Sequence, residues 1–165
     1  MPGLELNTEL ERLRYTRGVE ANRRAPVFSE GEIEVAASPA VLWDTVADFK
    51  RWPYWSPGVD SVTLEGPVAQ GTVFRWRAGA TRLVSTLQIV DRPRSIGWTG
   101  RALGVRANHV WRFESRPGGA VAHMEESFDG LVAKLFRSRL QKQLDETTAK
   151  GLRALKGTAE QRARG

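Results

Sequence analysis

Apolar and acidic residues alternate along Phe28-Ser29-Glu30-Gly31-Glu32-Ile33-Glu34-Val35, with the acids at 30, 32 and 34 turned one way. A period of two predicts a strand with one wet face. Ser38-Pro39 then supplies a helix N-cap followed by proline at the first helical position. Leu42, Val46 and Phe49 line one stripe of the helix that follows. Trp52-Pro53-Tyr54-Trp55-Ser56-Pro57-Gly58 cannot extend it, because each proline lacks an amide donor. It reads as a second, tight helical turn and a loop. From 59 to 130 turn residues recur at the ~8–12-residue spacing of all-β segments. The predicted strands are 59–64, 72–78, 81–90, 95–101, 106–115 and 120–128. Gly130 ends the sheet, and Leu131, Leu135, Leu140, Leu144, Leu152 and Leu155 keep a helical rhythm to the region of 157.

Strand, two short helices, six strands and one long helix define an α+β chain. Consecutive antiparallel strands make a single sheet, and a long helix with one apolar stripe must be buried against something. The economical solution is a curved antiparallel sheet of about seven strands wrapped around the C-terminal helix. The 165 residues suit one domain, expected over 26–157. Residues 1–25 are expected to form a polar N-terminal extension, helical or mobile, with helical spacing at Leu6, Leu10 and Leu13 and with Thr8 and Glu11 set as a capping box. Residues 158–165 read as a basic tail.

Composition narrows the chemistry. There is no cysteine, so disulfides, thiol catalysis and thiolate–metal sites are excluded, and two histidines, His109 and His123, do not suggest a metal centre. No Gly-rich nucleotide loop and no Gly-x-Ser-x-Gly elbow occurs. No apolar run reaches the ~18 residues that span a membrane, and the N-terminus has no apolar core of a secretory signal. The cytoplasm is the expected address. The net charge is +6, and all of it lies in residues 131–165. A solvated helix face accounts for that run. Nucleic acid is not an expected partner, since only Phe136 interleaves with the basic residues.

Three strings carry a resemblance. They are Ala37-Ser38-Pro39-Ala40-Val41-Leu42-Trp43 with Asp48-Phe49-Lys50-Arg51-Trp52-Pro53-Tyr54-Trp55-Ser56-Pro57, then Ile96-Gly97-Trp98-Thr99-Gly100, then His109-Val110-Trp111. With the order of elements, they resemble the START-like (helix-grip, or SRPBCC) superfamily, and within it the bacterial polyketide cyclase/dehydrase-like branch. The likeness covers about residues 27–157. Ser56 departs from the asparagine usual in relatives. The resemblance implies a helix-grip fold with a deep, largely apolar cavity between sheet and helix. No cofactor is implied.

The residue pattern supports an aromatic inner wall. With Gly79-Ala80 as a two-residue turn, Trp76 pairs with Leu83 and Phe74 with Ser85. Phe74, Trp76, Leu83, Leu87 and Ile89 then share one face, and Arg75, Arg77 and Arg82 the other. Counting the 116–119 turn back from Ser115 sets His109 across from Glu125 and Trp111 across from His123. An imidazole beside a carboxylate in a poorly solvated pocket can act as a general acid or base, so His109 and Glu125 are the candidate catalytic pair. The candidate ligand-binding residues are Trp43, Trp52, Trp55, Phe74, Trp76, Leu83, Leu87, Trp98, Trp111, His123, Phe136 and Leu140.

The leading expectation is a protein, monomeric or homodimeric, that binds a hydrophobic or aromatic small molecule in an internal cavity. As an enzyme it would be a cofactor-independent polyketide cyclase/aromatase or dehydratase. The alternatives are a non-catalytic lipid or small-molecule carrier or sensor, and a basic interaction module for an acidic partner or membrane surface.

Overall fold

A computed structural model describes residues 20–165. The helix expected around Thr8 and Leu10 lies outside the described residues. Strand β1 (Val27–Val35) is followed by α1 (Pro39–Ala47), a 3-10 turn (Phe49–Arg51) and α2 (Trp52–Trp55). Six strands follow: β2 (Ser61–Leu64), β3 (Val73–Ala78), β4 (Thr81–Asp91), β5 (Ser95–Ala102), β6 (Val105–Arg116) and β7 (Gly119–Asp129). The chain closes with α3 (Leu131–Leu135) and α4 (Arg137–Arg164). The seven strands form one antiparallel sheet in the order β1-β7-β6-β5-β4-β3-β2. This is the helix-grip fold: a curved sheet with the long helix across its concave side.

Local sequence explains the joints. The Ser38 hydroxyl accepts from the Val41 amide at 3.3 Å and caps α1, a contact worth about 1 kcal/mol. Glu30, Glu32 and Glu34 face water, as the alternation predicts. Helix α4 crosses β1 at Gly31, where a β-carbon would stand 2.7 Å from Leu152 Cδ1. A side chain there would require the Leu152 side chain to move. The buried stripe of α4 runs Leu144, Thr148, Gly151, Leu152, Leu155 and Ala159.

Three boundaries differ from the sequence reading. The C-terminal helix is broken at Phe136, whose φ of −110° and ψ of 27° separate α3 from α4. Residues 158–165 are not a tail: α4 continues to Arg164, Ala159 is fully buried, and Glu160 accepts from the Ala36 amide at 3.0 Å. Residues 20–22 belong to the packed body. Ala21 is buried, and the Asn22 amide donates to Ser127 Oγ at 2.9 Å across the convex face.

Candidate functional site

The sheet registers decide which side chains meet. On the concave face one row crosses the sheet from Ser29 through Glu126, His109 and Trp98 to Leu87. The next row holds Gly31, Met124, Trp111 and Ile96. The β3–β4 hairpin has the expected pairing, Trp76 with Leu83 and Phe74 with Ser85. Ile89 does not share that face. The β4–β5 register shifts between Leu87 and Ile89, and the extra residue turns Ile89 to the convex side beside Val110.

The β6–β7 pairing is one residue from the expected one. Arg116 pairs with Gly119 and Ser115 with Ala120, so the turn holds only two residues, His109 faces Glu126, and Trp111 faces Met124. A slip of one residue exchanges the faces of every side chain on the strand. Glu125 therefore lies on the convex side, where it accepts from Arg23 and Arg112 at 3.1 Å each. The expected His109–Glu125 pair is not formed. His123 also faces outward, with Nδ1 3.1 Å from Glu32 and Nε2 3.6 Å from Glu114. It lines no interior wall.

The His109 imidazole sits on the concave face with its side chain 10% exposed and Nδ1 3.1 Å from Glu126 Oε2. Its ring stacks on Trp98 at 4.4 Å with 6° between the planes, and Trp111 stands 5.7 Å away. Nδ1 is thus the nitrogen turned toward the Glu126 carboxylate, and Nε2 has no partner.

Three indole donors of the concave face are satisfied. Trp43 Nε1 donates to the Ser95 carbonyl at 2.9 Å, Trp52 Nε1 to the Val46 carbonyl at 2.8 Å, and Trp76 Nε1 to Ser85 Oγ at 3.1 Å. Phe49, Trp52, Phe74 and Trp98 close on one another with centroids 4.6–6.4 Å apart. These rings form a satisfied, ring-on-ring core. Among the described residues three buried side-chain atoms lack a partner: His109 Nε2, Thr148 Oγ1 and Trp55 Nε1. Thr147 and Thr158 satisfy their hydroxyls on carbonyls one turn back in α4, whereas Thr148 leaves Oγ1 unpartnered on the buried stripe. Each buried group left without a partner costs about 1–3 kcal/mol. Such groups call for an ordered water, a ligand or a local role.

The remaining expected residues are dispersed. Leu83 and Leu87 lie on the concave face, Leu83 beside Trp76. Phe136 is 56% exposed at the helix break. Leu140 packs with Val27, Ala133 and Leu144, in a cluster separate from the aromatic one. Two clefts, of about 420 and 470 Å³, open on the convex face and beside α3; neither is lined by an aromatic residue, and neither is the apolar cavity expected between sheet and helix. The sequence reading missed Glu126 and Thr148. Two signals were available: adjacent Glu125-Glu126 must split between faces, and Thr148 falls on the leucine stripe of α4. No group of three or more His, Cys, Asp or Glu residues suited to a metal occurs among the described residues.

Comparison with known proteins agrees with this architecture. The family described as "Polyketide cyclase / dehydrase and lipid transport" matches residues 28–160. The chain belongs to that family. Uncharacterized proteins of Mycobacterium tuberculosis and Mycobacterium bovis are 28% identical over 116 residues, covering 62% of this chain. The match spans 65% of those relatives' own length, just under two thirds. The Zhui aromatase/cyclase from Streptomyces sp. R1128 superposes with a TM-score of 0.69 at 20% identity, over 84% of this chain and 96% of that one. A START superfamily protein from Mycobacterium smegmatis gives 0.69 at 16% identity, over 81% and 97%. At these identities the likeness is one of fold.

Proposed function

We propose that this protein binds a hydrophobic or aromatic small molecule against its concave face, with His109 Nε2 as the polar anchor and Thr148 Oγ1 as a second contact. The single observation that carries this reading is the buried, unpartnered Nε2 of a ring held on its other nitrogen by Glu126. The aromatic surroundings suit an apolar guest, and a few convergent polar groups fix its orientation.

We further propose a proton-transfer role. Nε2 is placed to take a proton from a carbon next to a guest carbonyl, leaving the electron pair in an enolate, while Glu126 stabilises the imidazolium. Positioned bases of this kind contribute roughly 10²–10⁴-fold. The step is the one a cofactor-independent cyclase or dehydratase requires, and it agrees with the family description and with the aromatase/cyclase of like fold.

The test uses 2-tetralone in D₂O, with NMR following exchange of its acidic C–H protons. Native protein is expected to accelerate exchange with saturation, and His109→Phe is expected to lose at least ~10²-fold of that rate. Binding of 2-naphthol, followed by tryptophan fluorescence, is read in parallel. Saturable binding without exchange would make the protein a carrier, and equal exchange by His109→Phe would remove the base.

A further inference from the structure

Four of the six large hydrophobic side chains exposed among the described residues belong to two adjoining segments. Leu103 is 78% exposed in the β5–β6 turn, and Leu131, Leu135 and Phe136 of α3 and its end are 70%, 69% and 56% exposed. The two segments touch. A β-carbon on Gly104 would stand 3.0 Å from Val132 Cγ2, and one on Gly130 would stand 2.7 Å from the Gly104 carbonyl.

The turn itself is unusual. Leu103 and Gly104 both have positive φ, 49° and 75°, which is the geometry that favours Asn-Gly or Asp-Gly in a two-residue hairpin. Here a leucine occupies the left-handed position and projects into solvent. Neither backbone preference nor burial accounts for that residue.

Charge surrounds this apolar tip. Arg101 and Arg106 flank the turn, Lys134, Arg137, Arg139 and Lys142 follow along α3 and α4, and all six are exposed. No acid occurs in 101–106 or 130–144, and of the two acids that border the second stretch, Asp129 and Asp145, Asp129 lies 3.7 Å from Arg106. Protruding leucine and phenylalanine among a clear excess of cations, of which Arg106 is paired with Asp129, complement an anionic bilayer surface, where acyl chains accept the apolar groups and headgroups the cations. Nucleic acid would accept the cations but offers nothing to the aliphatic side chains. No described helix is long and apolar enough to cross a membrane, so contact would be at the surface.

We propose that the β5–β6 turn and α3 form a docking tip for anionic lipid membranes, with Leu103 and Phe136 entering the acyl boundary. The tip shares no residue with the concave-face site and stands independently of it.

The cysteine-free chain allows a direct test. Leu103→Cys, Phe136→Cys and Ser115→Cys, the last an exposed site at the opposite end of β6, each carry an environment-sensitive nitrobenzoxadiazole label. They are mixed with vesicles of 30% phosphatidylglycerol in phosphatidylcholine, or of phosphatidylcholine alone, after circular dichroism confirms native melting. The expected result is a several-fold, blue-shifted rise at 103 and 136 on anionic vesicles, with no change at 115 and little change on neutral ones. In unlabelled protein, Arg137→Glu with Arg139→Glu is expected to reduce vesicle co-sedimentation at least tenfold. Equal responses at all three positions, no response at 103 and 136, or binding to duplex DNA but not to vesicles would overturn the proposal.

Discussion

The two histidines of the β6–β7 hairpin lie on opposite faces of one sheet, and each has a carboxylate 3.1 Å from Nδ1. His123, on the convex face, keeps a third of its side chain in solvent, with a second carboxylate near Nε2. His109, on the concave face, is stacked on Trp98 and has nothing on Nε2. Residue type and partner type are the same. What differs is that water can satisfy one ring and only a guest, or a trapped water, can satisfy the other. The same contrast runs across the two faces: the convex one is laced by ion pairs, exposed in Arg23–Glu30 and Arg106–Asp129 and half-buried in Arg112–Glu125, the concave one by aromatic packing around a few polar atoms.

The contrast breaks most visibly at Trp98. Replacing this buried ring by alanine removes the stack on His109 and leaves a cavity, with an expected loss of about 3–5 kcal/mol in chemical denaturation. His123→Ala on the other face is expected to stay within about 0.5 kcal/mol in the same experiment.

Next comes the pair of adjacent glutamates. Glu126→Gln is expected to slow 2-tetralone exchange by ~10²-fold, the lower end of a general base's contribution, with the melting temperature little changed. Glu125→Gln should leave the rate as it is. Equal effects of the two would mean that the hairpin register does not set the chemistry.

Thr148→Val sharpens the argument from the opposite direction. Replacing a hydroxyl that has no partner with an isosteric methyl should leave stability unchanged or raise it by up to ~1 kcal/mol. The same change should weaken 2-naphthol binding, read by tryptophan fluorescence. A loss of stability would mean that Oγ1 is satisfied in solution.

The smallest effect belongs to the surface. Arg92 donates two hydrogen bonds to Asp44, at 2.7 and 2.9 Å, and these hold the carboxyl below its usual range. A folded-state pKa lowered in this way contributes stability above the unfolded value of ~3.9, and the contribution disappears as pH falls through the folded one. The Asp44 side chain is 35% exposed, so Asp44→Asn should cost at most ~1 kcal/mol at neutral pH. The variant and native melting curves should converge as the pH drops below about 4.

Much of the architecture was legible in the sequence because its signals are local. Gly79-Ala80 sets the β3–β4 turn and hence the partners of Trp76 and Phe74, and alternating acids mark the wet face of β1. The site was less legible because it depends on register carried over distance. The Pro117-Gly118 turn is one pairing step tighter than the count from Ser115, which exchanged Glu125 for Glu126. The shift at Gln88 likewise turned Ile89 outward. The break at Phe136 follows no proline or glycine, and leucine spacing alone ran through it. Thr148 shows the converse: one polar residue on an apolar stripe was visible, but only packing reveals that its hydroxyl is unpaired.

Imidazole nitrogen-15 spectra of the native protein, titrated with 2-naphthol, test the central claim most directly. His109 Nε2 is expected to shift saturably as it accepts the naphthol hydroxyl, while both His123 nitrogens stay in place. A bound naphthol that moves His123 and leaves His109 Nε2 unchanged would contradict it.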